Sequence, residues 1–222
     1  MRIDKVHQYI IFELDKASRG YVSPEQIDLV LDMQQMAEFT ALAPRAGMYQ
    51  QVHDDLSPFS KQVTYTADDY AAGELKTGPN GIVVLPADYL HLIHVRTETE
   101  RIEILSDNEV GDRLDSVIVT APFAVRAGVG GTSNNIPFTF PSLQLYPKKG
   151  KALTVNYLSR PAVPKYSYTI VNRATVFDPV NSTDLQWNDE VTLRIIYRTL
   201  AALGVHLQAG DVTQLMEAKA QV

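Results

Sequence analysis

The spacing of apolar residues changes twice along this 222-residue chain, and this change constrains the fold more than any single motif. Residues 1 to about 43, and those from about 186 onward, place apolar side chains every three or four positions, as amphipathic helices do. The middle of the chain alternates apolar and polar side chains between turn residues, which is typical of strands. Helices at both ends with strands between them predict an α+β protein with a mainly antiparallel sheet.

Three segments follow from this pattern. We predict an N-terminal helical hairpin over residues 1–43, a β-rich domain with long loops over 44–180, and C-terminal helices over 181–222 that pack back on the N-terminal helices. Residues 45–81 have weak periodicity and contain several Gly and Pro residues. Loops of that length in a compact domain are usually functional or ordered by a partner, so we expect contacts between subunits there.

Capping residues mark where the predicted helices begin and end. Ser23, Pro24 and Gln26 form the pattern of a capping box at the start of the second helix, and Gly20 suits the end of the first. The apolar face of the first helix consists of Ile3, Val6, Ile10 and Leu14. On the second helix Leu29, Met33 and Met36 share one face, with Ile27, Val30 and Leu31 beside it.

The C-terminal segment predicts one long and one short helix. Asn188 suits the N-cap of a helix that Gly204 ends, and its apolar stripe is Ile195, Ile196, Leu200 and Leu203. Asp211 is positioned to cap a final helix of about ten residues, which is marginal alone in water and therefore needs a packing partner.

Seven short runs in the middle of the chain predict strands: 82–85, 91–97, 101–105, 116–120, 143–146, 153–158 and 168–171. The clearest pairing joins 143–146 to 153–157, because both runs alternate and Pro147 and Gly150 lie between them. This pattern predicts an antiparallel hairpin with one buried face.

Composition narrows the classes of function. The chain has 20 basic and 26 acidic residues, a formal net charge of -6, which argues against a general nucleic-acid binder. It has no cysteine, so disulfides, thiolate metal sites and cysteine nucleophiles are excluded. No run approaches the ~20 apolar residues that span a bilayer, and the start lacks the features of a signal peptide. We expect assembly in a reducing cytosol, away from membranes.

Two patterns resemble ligand sites but lack the required residues. Residues 15–26 have the outline of a calcium loop, yet Ala17 and Arg19 replace two ligands and Gln26 replaces the bidentate carboxylate. His91 and His94 lie in a predicted strand, where a spacing of three places side chains on opposite faces. We therefore expect no metal site and no cofactor.

Catalytic patterns are weak as well. The acidic pairs Asp54–Asp55 and Asp68–Asp69 are adjacent residues whose side chains diverge on an extended chain, so solvated loops are expected for them. No Gly-x-Ser-x-Gly nucleophile motif occurs. We expect a protein that is not an enzyme and has no catalytic residues.

The segment 127–135 is rich in Gly and Asn and too polar to pack by itself. It lacks the Gly-Lys-Ser/Thr ending of a phosphate-binding loop, so ordering against a neighbouring subunit is the better prediction. Together with the short final helix, it provides our predicted subunit-interface residues: Gly128, Gly130, Gly131, Asn134, Asn135 and Met216.

The order of several short motifs resembles the neck or ring proteins of crAss-like and related Bacteroidetes tailed phages. These motifs are residues 6–10 (VHQYI), 15–26, 85–90 (LPADYL), 107–109 (DNE), 113–116 (RLDS) with 121–122 (AP), 145–147 (LYP), 155–161 (VNYLSRP) with Pro164, and 185–187 (LQW) leading into a helix that ends at 203–205 (LGV). The resemblance covers nearly the whole chain, and no catalytic residue is carried over.

This resemblance implies a virion structural protein in the head–tail connector. Such proteins form rings, commonly of twelve copies, that lie beneath the portal and contact a neighbouring neck or tail protein. Closed rings require head-to-tail contacts between copies. Genomic DNA passes through without sequence-specific binding, and acidic residues such as Asp54, Asp55, Asp68 and Asp69 are candidates to line that channel.

Three alternative functions remain open from the sequence. A tail-tube subunit or a capsid-decorating protein would also be structural, and the rotational symmetry of the assembly distinguishes them from a neck ring. A module that binds carbohydrate on the host surface would instead be a monomer or trimer with an aromatic groove.

Overall fold

The computed structural model describes residues 1–17, 21–66, 81–115, 122–127, 132–133, 136–137, 141–146, 152–171 and 174–204. Over these residues the chain has an α+β fold, with five α-helices and a mainly antiparallel seven-stranded sheet. The chain divides into two compact units. The helical unit comprises Met1–Pro58 and the described residues from Pro161 onward, and the sheet unit comprises Phe59–Arg160.

The helices of the described chain are α1 (Ile3–Lys16), α2 (Pro24–Leu42), α3 (Gln50–Leu56), α4 (Asp107–Asp115) and α5 (Asp189–Ala202), with single 3-10 turns at Ala43–Arg45 and Ser57–Phe59. The strands are β1 (Ser60–Tyr65), β2 (Ile82–Val84), β3 (Tyr89–Arg96), β4 (Arg101–Leu105), β5 (Phe123–Ala127), β6 (Thr132–Ser133), β7 (Ile136–Pro137), β8 (Ser142–Tyr146), β9 (Leu153–Ser159), β10 (Tyr168–Val171) and β11 (Ala174–Phe177). None of these helices combines the length and apolar character needed to cross a bilayer.

The predicted caps at Ser23, Asn188 and Gly204 are confirmed, whereas the predicted caps Gly20 and Asp211 lie outside the described residues. The Ser23 hydroxyl accepts the Gln26 N–H at 3.3 Å, and the Gln26 side chain accepts the Ser23 N–H at 3.1 Å. At the start of α5 the Asn188 side chain accepts the Val191 N–H at 2.8 Å. Gly204 follows α5 with φ of 86°, a left-handed conformation that glycine adopts without a Cβ penalty.

In the helical unit α5 packs against both α1 and α2. The buried apolar side chains of these helices are Ile3, Val6, Ile10, Leu14, Ile27, Leu31, Phe39, Leu42, Val191, Ile195, Ile196 and Leu200. The apolar stripes predicted on the first and last of these helices therefore face the core, with Leu203 at the end of α5 only half-buried. Residues 44–58 and 161–180, which the sequence analysis placed in the middle segment, belong to this unit.

The buried face of α2 differs from the predicted one. Leu29 and Met33 are exposed, whereas Gln35 and Glu38 are buried. Gln35 donates from Nε2 to the Ala162 carbonyl at 2.9 Å, so the polar group keeps a partner in the core. Helical spacing identifies faces, but these distant partners decide which face is buried.

The sheet unit is built on strands in the order β1-β9-β3-β4-β5-β8-β2. Among the strands of the described residues, only β4 and β5 pair in parallel. One face carries the core of this unit: Tyr65, Val83, Leu85, Leu92, Val95, Ile102, Ala124, Leu143, Leu145, Leu153, Val155 and Tyr157. The alternation of burial along β9 follows from the period of two in a pleated strand.

The predicted hairpin of 143–146 with 153–157 is wrong. Strand β8 pairs with β5 and β2, and β9 pairs with β1 and β3, so the two runs lie apart in the sheet. Each run does have one buried face, as its alternation predicted. Alternation specifies that a strand is half-buried, and it carries no information about which strand lies beside it.

Several elements were missed where local signals are weak. Helix α3 and strand β1 lie in the stretch that was predicted to be a long loop, and α4, β5 and β11 were not predicted. The predicted strand 116–120 lies outside the described residues, as does the predicted final helix at 211–220.

Candidate assembly surface

Strands β10 and β11 form a separate two-stranded hairpin in the helical unit. They pair antiparallel with Tyr168 opposite Phe177 and Val171 opposite Ala174. All four residues of β10 are exposed. Isolated two-stranded hairpins are at best marginally stable in water, so this one needs support at its base or along its length.

Apolar side chains are exposed on both faces of this hairpin. Ile170 is 71% exposed and Val171 is 51% exposed, and neighbouring residues in a strand point to opposite faces. Val176 on β11 is 47% exposed and shares a face with Val171, since its partner Thr169 lies two residues from Val171 on β10. An exposed strand edge with apolar side chains is a site where another chain can bind.

The base of the hairpin is an aromatic cluster. The Tyr166 ring stacks on His7 at a centroid distance of 4.5 Å and on Phe177 at 5.4 Å. The centroid of the Tyr168 ring lies 6.1 Å from that of Tyr166, and the Arg2 guanidinium lies 5.4 Å from the Phe177 centroid. Burial, with the nearby Asp4 carboxylate, raises the pKa of Tyr166.

Asp28 on α2 connects this cluster to the helices. One of its carboxylate oxygens accepts the Tyr166 backbone N–H at 2.9 Å, and the other accepts the Nε2–H of His7 at 2.8 Å. His7 is buried, and its Nδ1 has no hydrogen-bond partner among the described residues. These contacts orient the base of the hairpin relative to α1 and α2.

A polar turn supports the hairpin beyond Phe177. The Asp178 carboxylate accepts the Val180 N–H at 3.0 Å and the Asn181 side-chain N–H at 2.6 Å. These hydrogen bonds, led by that from Asn181, lower the pKa of Asp178. The Ser182 hydroxyl donates to the Asp178 carbonyl at 2.6 Å, which closes the turn. The strands are therefore held at the end that is attached to the helical unit.

A second exposed apolar surface lies on α2. Leu29 is 63% exposed and Met33 is 60% exposed, four residues apart on one face. Ala37 continues this face and is also exposed, while Glu25 precedes it by one turn. We call this surface the α2 face: Glu25, Leu29, Met33 and Ala37.

The predicted subunit-interface residues cannot be placed on either surface. Gly128, Gly130, Gly131, Asn134, Asn135 and Met216 all lie outside the described residues. The sequence predicted strand β10 but not the exposure of its side chains. One feature of the sequence did indicate this exposure. Ile170 and Val171 are adjacent in the predicted strand 168–171, and adjacent strand residues cannot both face one core.

The acidic pair Asp54–Asp55 is not a solvated loop. Both residues lie in α3, and Asp55 is buried. Arg194 on α5 lies 3.4 Å from the Asp55 carboxylate and 3.3 Å from the Glu38 carboxylate, and Asn188 also donates to Asp55. Asp55 is therefore part of an ion-pair network in the helical core, and is unsuited to lining a channel. Asp68 and Asp69 lie outside the described residues.

His91 and His94 both lie in β3, but a bulge changes the expected alternation. His91 is opposite Leu158 and His94 is opposite Asn156, two residues apart on β9, because Ile93 is inserted between registered pairs. The Asn156 amide nitrogen lies 2.7 Å from His94 Nε2. Burial, and then the Arg101 and Arg96 charges, lower the pKa of His94. Within the described ranges, no three His, Asp or Glu side chains are grouped to hold a metal ion.

No protein-family model matches this sequence, and none of the curated proteins is significantly similar to it.

Proposed function

We propose that this chain is a non-enzymatic structural subunit of a tailed phage, which forms a ring in the head–tail connector between the portal and a neighbouring neck or tail protein. The observation that carries the assembly part of this proposal is the β10–β11 hairpin. Its strands expose Ile170, Val171 and Val176 while its base is held by packed aromatic rings. A supported base with an exposed apolar end is suited to contact with another subunit.

The phage context of the proposal rests on the order of the sequence motifs that resemble ring proteins. Twelve copies is the number that this resemblance implies. With a net charge of -6, a ring of this chain repels the DNA phosphates more than it attracts them, which favours passage of the genome without binding. Asp55 is not proposed to line the DNA channel, because its carboxylate is paired with Arg194.

Two measurements test the proposal. The mass of the purified full chain in solution, measured over a range of concentrations, is expected to show a closed homo-oligomer. Imaging of phage particles that carry a tagged copy of the chain is expected to place the tag at the neck. A tag on the tail tube or on the capsid surface would instead support one of the alternative structural functions, and absence from particles would reject all three.

A further inference from the structure

We infer that the sheet unit carries a binding site for a phosphate group, formed by His94, Arg96 and Arg101 beside the turn between β3 and β4. We call these three residues the arginine site. The inference goes beyond the proposed function, because the site requires neither a ring nor a phage particle. It rests on two arginines that repel each other and that the described residues leave without an ion-pair partner.

The register of the sheet places the three cationic side chains on one face. Arg96 on β3 is directly opposite Arg101 on β4. Val95 and Ile102, the pair beside them, point into the core of the sheet unit, so both arginines lie on the other face. His94 precedes Arg96 by two residues and shares this face. Like charges directly opposite each other destabilise a pair of strands, so the arrangement has a cost in the chain alone.

The nearby carboxylates do not neutralise the two arginines. Glu103 lies on the same face, two residues after Arg101, but it is paired with Arg113 at 3.3 Å. Glu98 and Glu100 in the turn are exposed, and no ion pair joins them to either arginine within the described chain. An anion from outside the chain would therefore relieve a repulsion that the fold leaves in place.

The arginine site has room and donors for such an anion. An open groove of about 340 Å³ lies beside its side chains, and Thr97 and Thr99 of the turn also line it. The Asn156 amide donates to His94 Nε2 at 2.7 Å, so the neutral ring carries its proton on Nδ1 as a further donor. Burial, and then the two arginine charges, lower the pKa of His94 and favour this neutral ring.

These donors favour a phosphate over a carboxylate. Planar guanidinium groups bind oxyanions through paired N–H donors. A tetrahedral phosphate presents oxygens in several directions, whereas the two oxygens of a carboxylate lie in one plane. Inorganic phosphate and the backbone of DNA both supply such a group. Because the whole chain has a net charge of -6, a local group of cations determines where an anion binds.

Calorimetric titration of the full chain with inorganic phosphate tests the inference, with sodium chloride of equal ionic strength as the blank. Saturable binding of one phosphate per chain is expected. Arg101→Met should weaken this binding at least about tenfold, because it removes a charge-assisted contact. Arg45→Met removes an exposed arginine of the helical unit and should leave the binding unchanged.

Thermal unfolding of the same variants verifies that they are folded and separates a ligand site from arginines that only support the fold. In low-salt buffer without phosphate, Arg101→Met should unfold at the temperature of the natural chain or above it, because the repulsion is removed. Saturating phosphate should then raise the unfolding temperature of the natural chain by about 2 °C and leave that of Arg101→Met unchanged.

A titration with a short DNA duplex identifies the source of the phosphate group. DNA binding that requires Arg101 would identify the DNA backbone as the ligand, and phosphate binding without DNA binding would identify a small phosphate compound; either result supports the site. The inference is overturned if neither phosphate nor DNA binds, if Arg101→Met binds as well as the natural chain, or if phosphate stabilises both equally.

Discussion

The Asp28 carboxylate in α2 accepts the backbone N–H of Tyr166, a residue 138 positions further along the chain. Because the other carboxylate oxygen binds His7, one side chain joins α1, α2 and the base of the β10–β11 hairpin. The hairpin is thereby fixed at one end, although its strands are exposed. An arm that is already oriented loses less conformational entropy on binding than a free one, which favours its use in assembly.

Substitution of His7 tests this connection. We expect His7→Phe to lower the free energy of unfolding by about 2 kcal/mol, because the ring can still stack on Tyr166 but Asp28 loses a donor in a half-buried site. Urea unfolding measures the change. His53→Phe, at an exposed histidine on α3, serves as the control and is expected to change stability by less than about 0.5 kcal/mol.

Polar residues at the exposed end of the hairpin should separate assembly from folding. We expect the double variant Ile170→Ser, Val171→Ser to keep the thermal stability of the natural chain while its oligomers dissociate, because these side chains are exposed in the single chain. Light scattering and thermal unfolding, measured on the same samples, report the two properties. Thr169→Ser, on the same exposed strand, should leave both unchanged. Loss of folding in the double variant would contradict this prediction.

Arg194 is expected to be a major contributor to the stability of the helical unit. It lies between the buried carboxylates of Glu38 and Asp55, so Arg194→Met leaves both with fewer partners and should cost about 3 kcal/mol. Chemical denaturation measures this loss. Arg113→Met removes an exposed ion pair with Glu103 and is expected to cost less than about 1 kcal/mol. Equal effects of the two substitutions would show that burial does not strengthen the Arg194 network.

Stability should fall in acid partly because of Asp88 in the sheet unit. A hydrogen bond from Lys61 at 2.6 Å, assisted by one from the Tyr157 hydroxyl at 3.0 Å, lowers the pKa of Asp88 below its ordinary value of 3.8. A lowered folded-state pKa stabilises the protein above pH 3.8, and this contribution is lost as the pH falls through the lower folded value.

The measurement for Asp88 is the free energy of unfolding between pH 6 and pH 2, in the natural chain and in Asp88→Asn. We expect the variant to be less stable above about pH 4 and the difference to shrink in stronger acid. Asp88 is partly exposed, so the difference should stay below about 1 kcal/mol. Asp15→Asn, at an exposed residue of α1, should follow the natural profile. A constant difference down to pH 2 would contradict the assignment.

Features that depend on a few neighbouring residues could be predicted from the sequence. The Ser23 capping box, the Asn188 cap and the glycine after α5 all satisfy backbone groups of their own helices, so they do not require knowledge of distant contacts. Strand β4 and strand β10 were also predicted with their observed bounds. Their apolar and β-branched residues favour extended structure whichever neighbours they acquire.

Features that depend on distant residues could not be predicted. The alternation in 143–146 and 153–157 suits a pair with each other as well as it suits the observed pairs with β5, β2, β1 and β3. Glu38 is buried where it pairs with Arg194 and Arg198, more than 150 residues away, and Leu29 and Met33 are exposed on the other side of α2. The α2 face was not predicted to be exposed, because apolar residues of an amphipathic helix are expected to face a core.

The sequence by itself determined the class of the fold, the starts of α2 and α5, the glycine after α5 and several strands, because these depend on side-chain period and on local hydrogen bonds. Only the tertiary structure decided the order of strands in the sheet, the polar residues buried at the core, and the apolar residues left in solvent. The physical reason is that a backbone edge or a buried carboxylate is satisfied by any suitable partner. Which partner is available is decided when the whole chain packs.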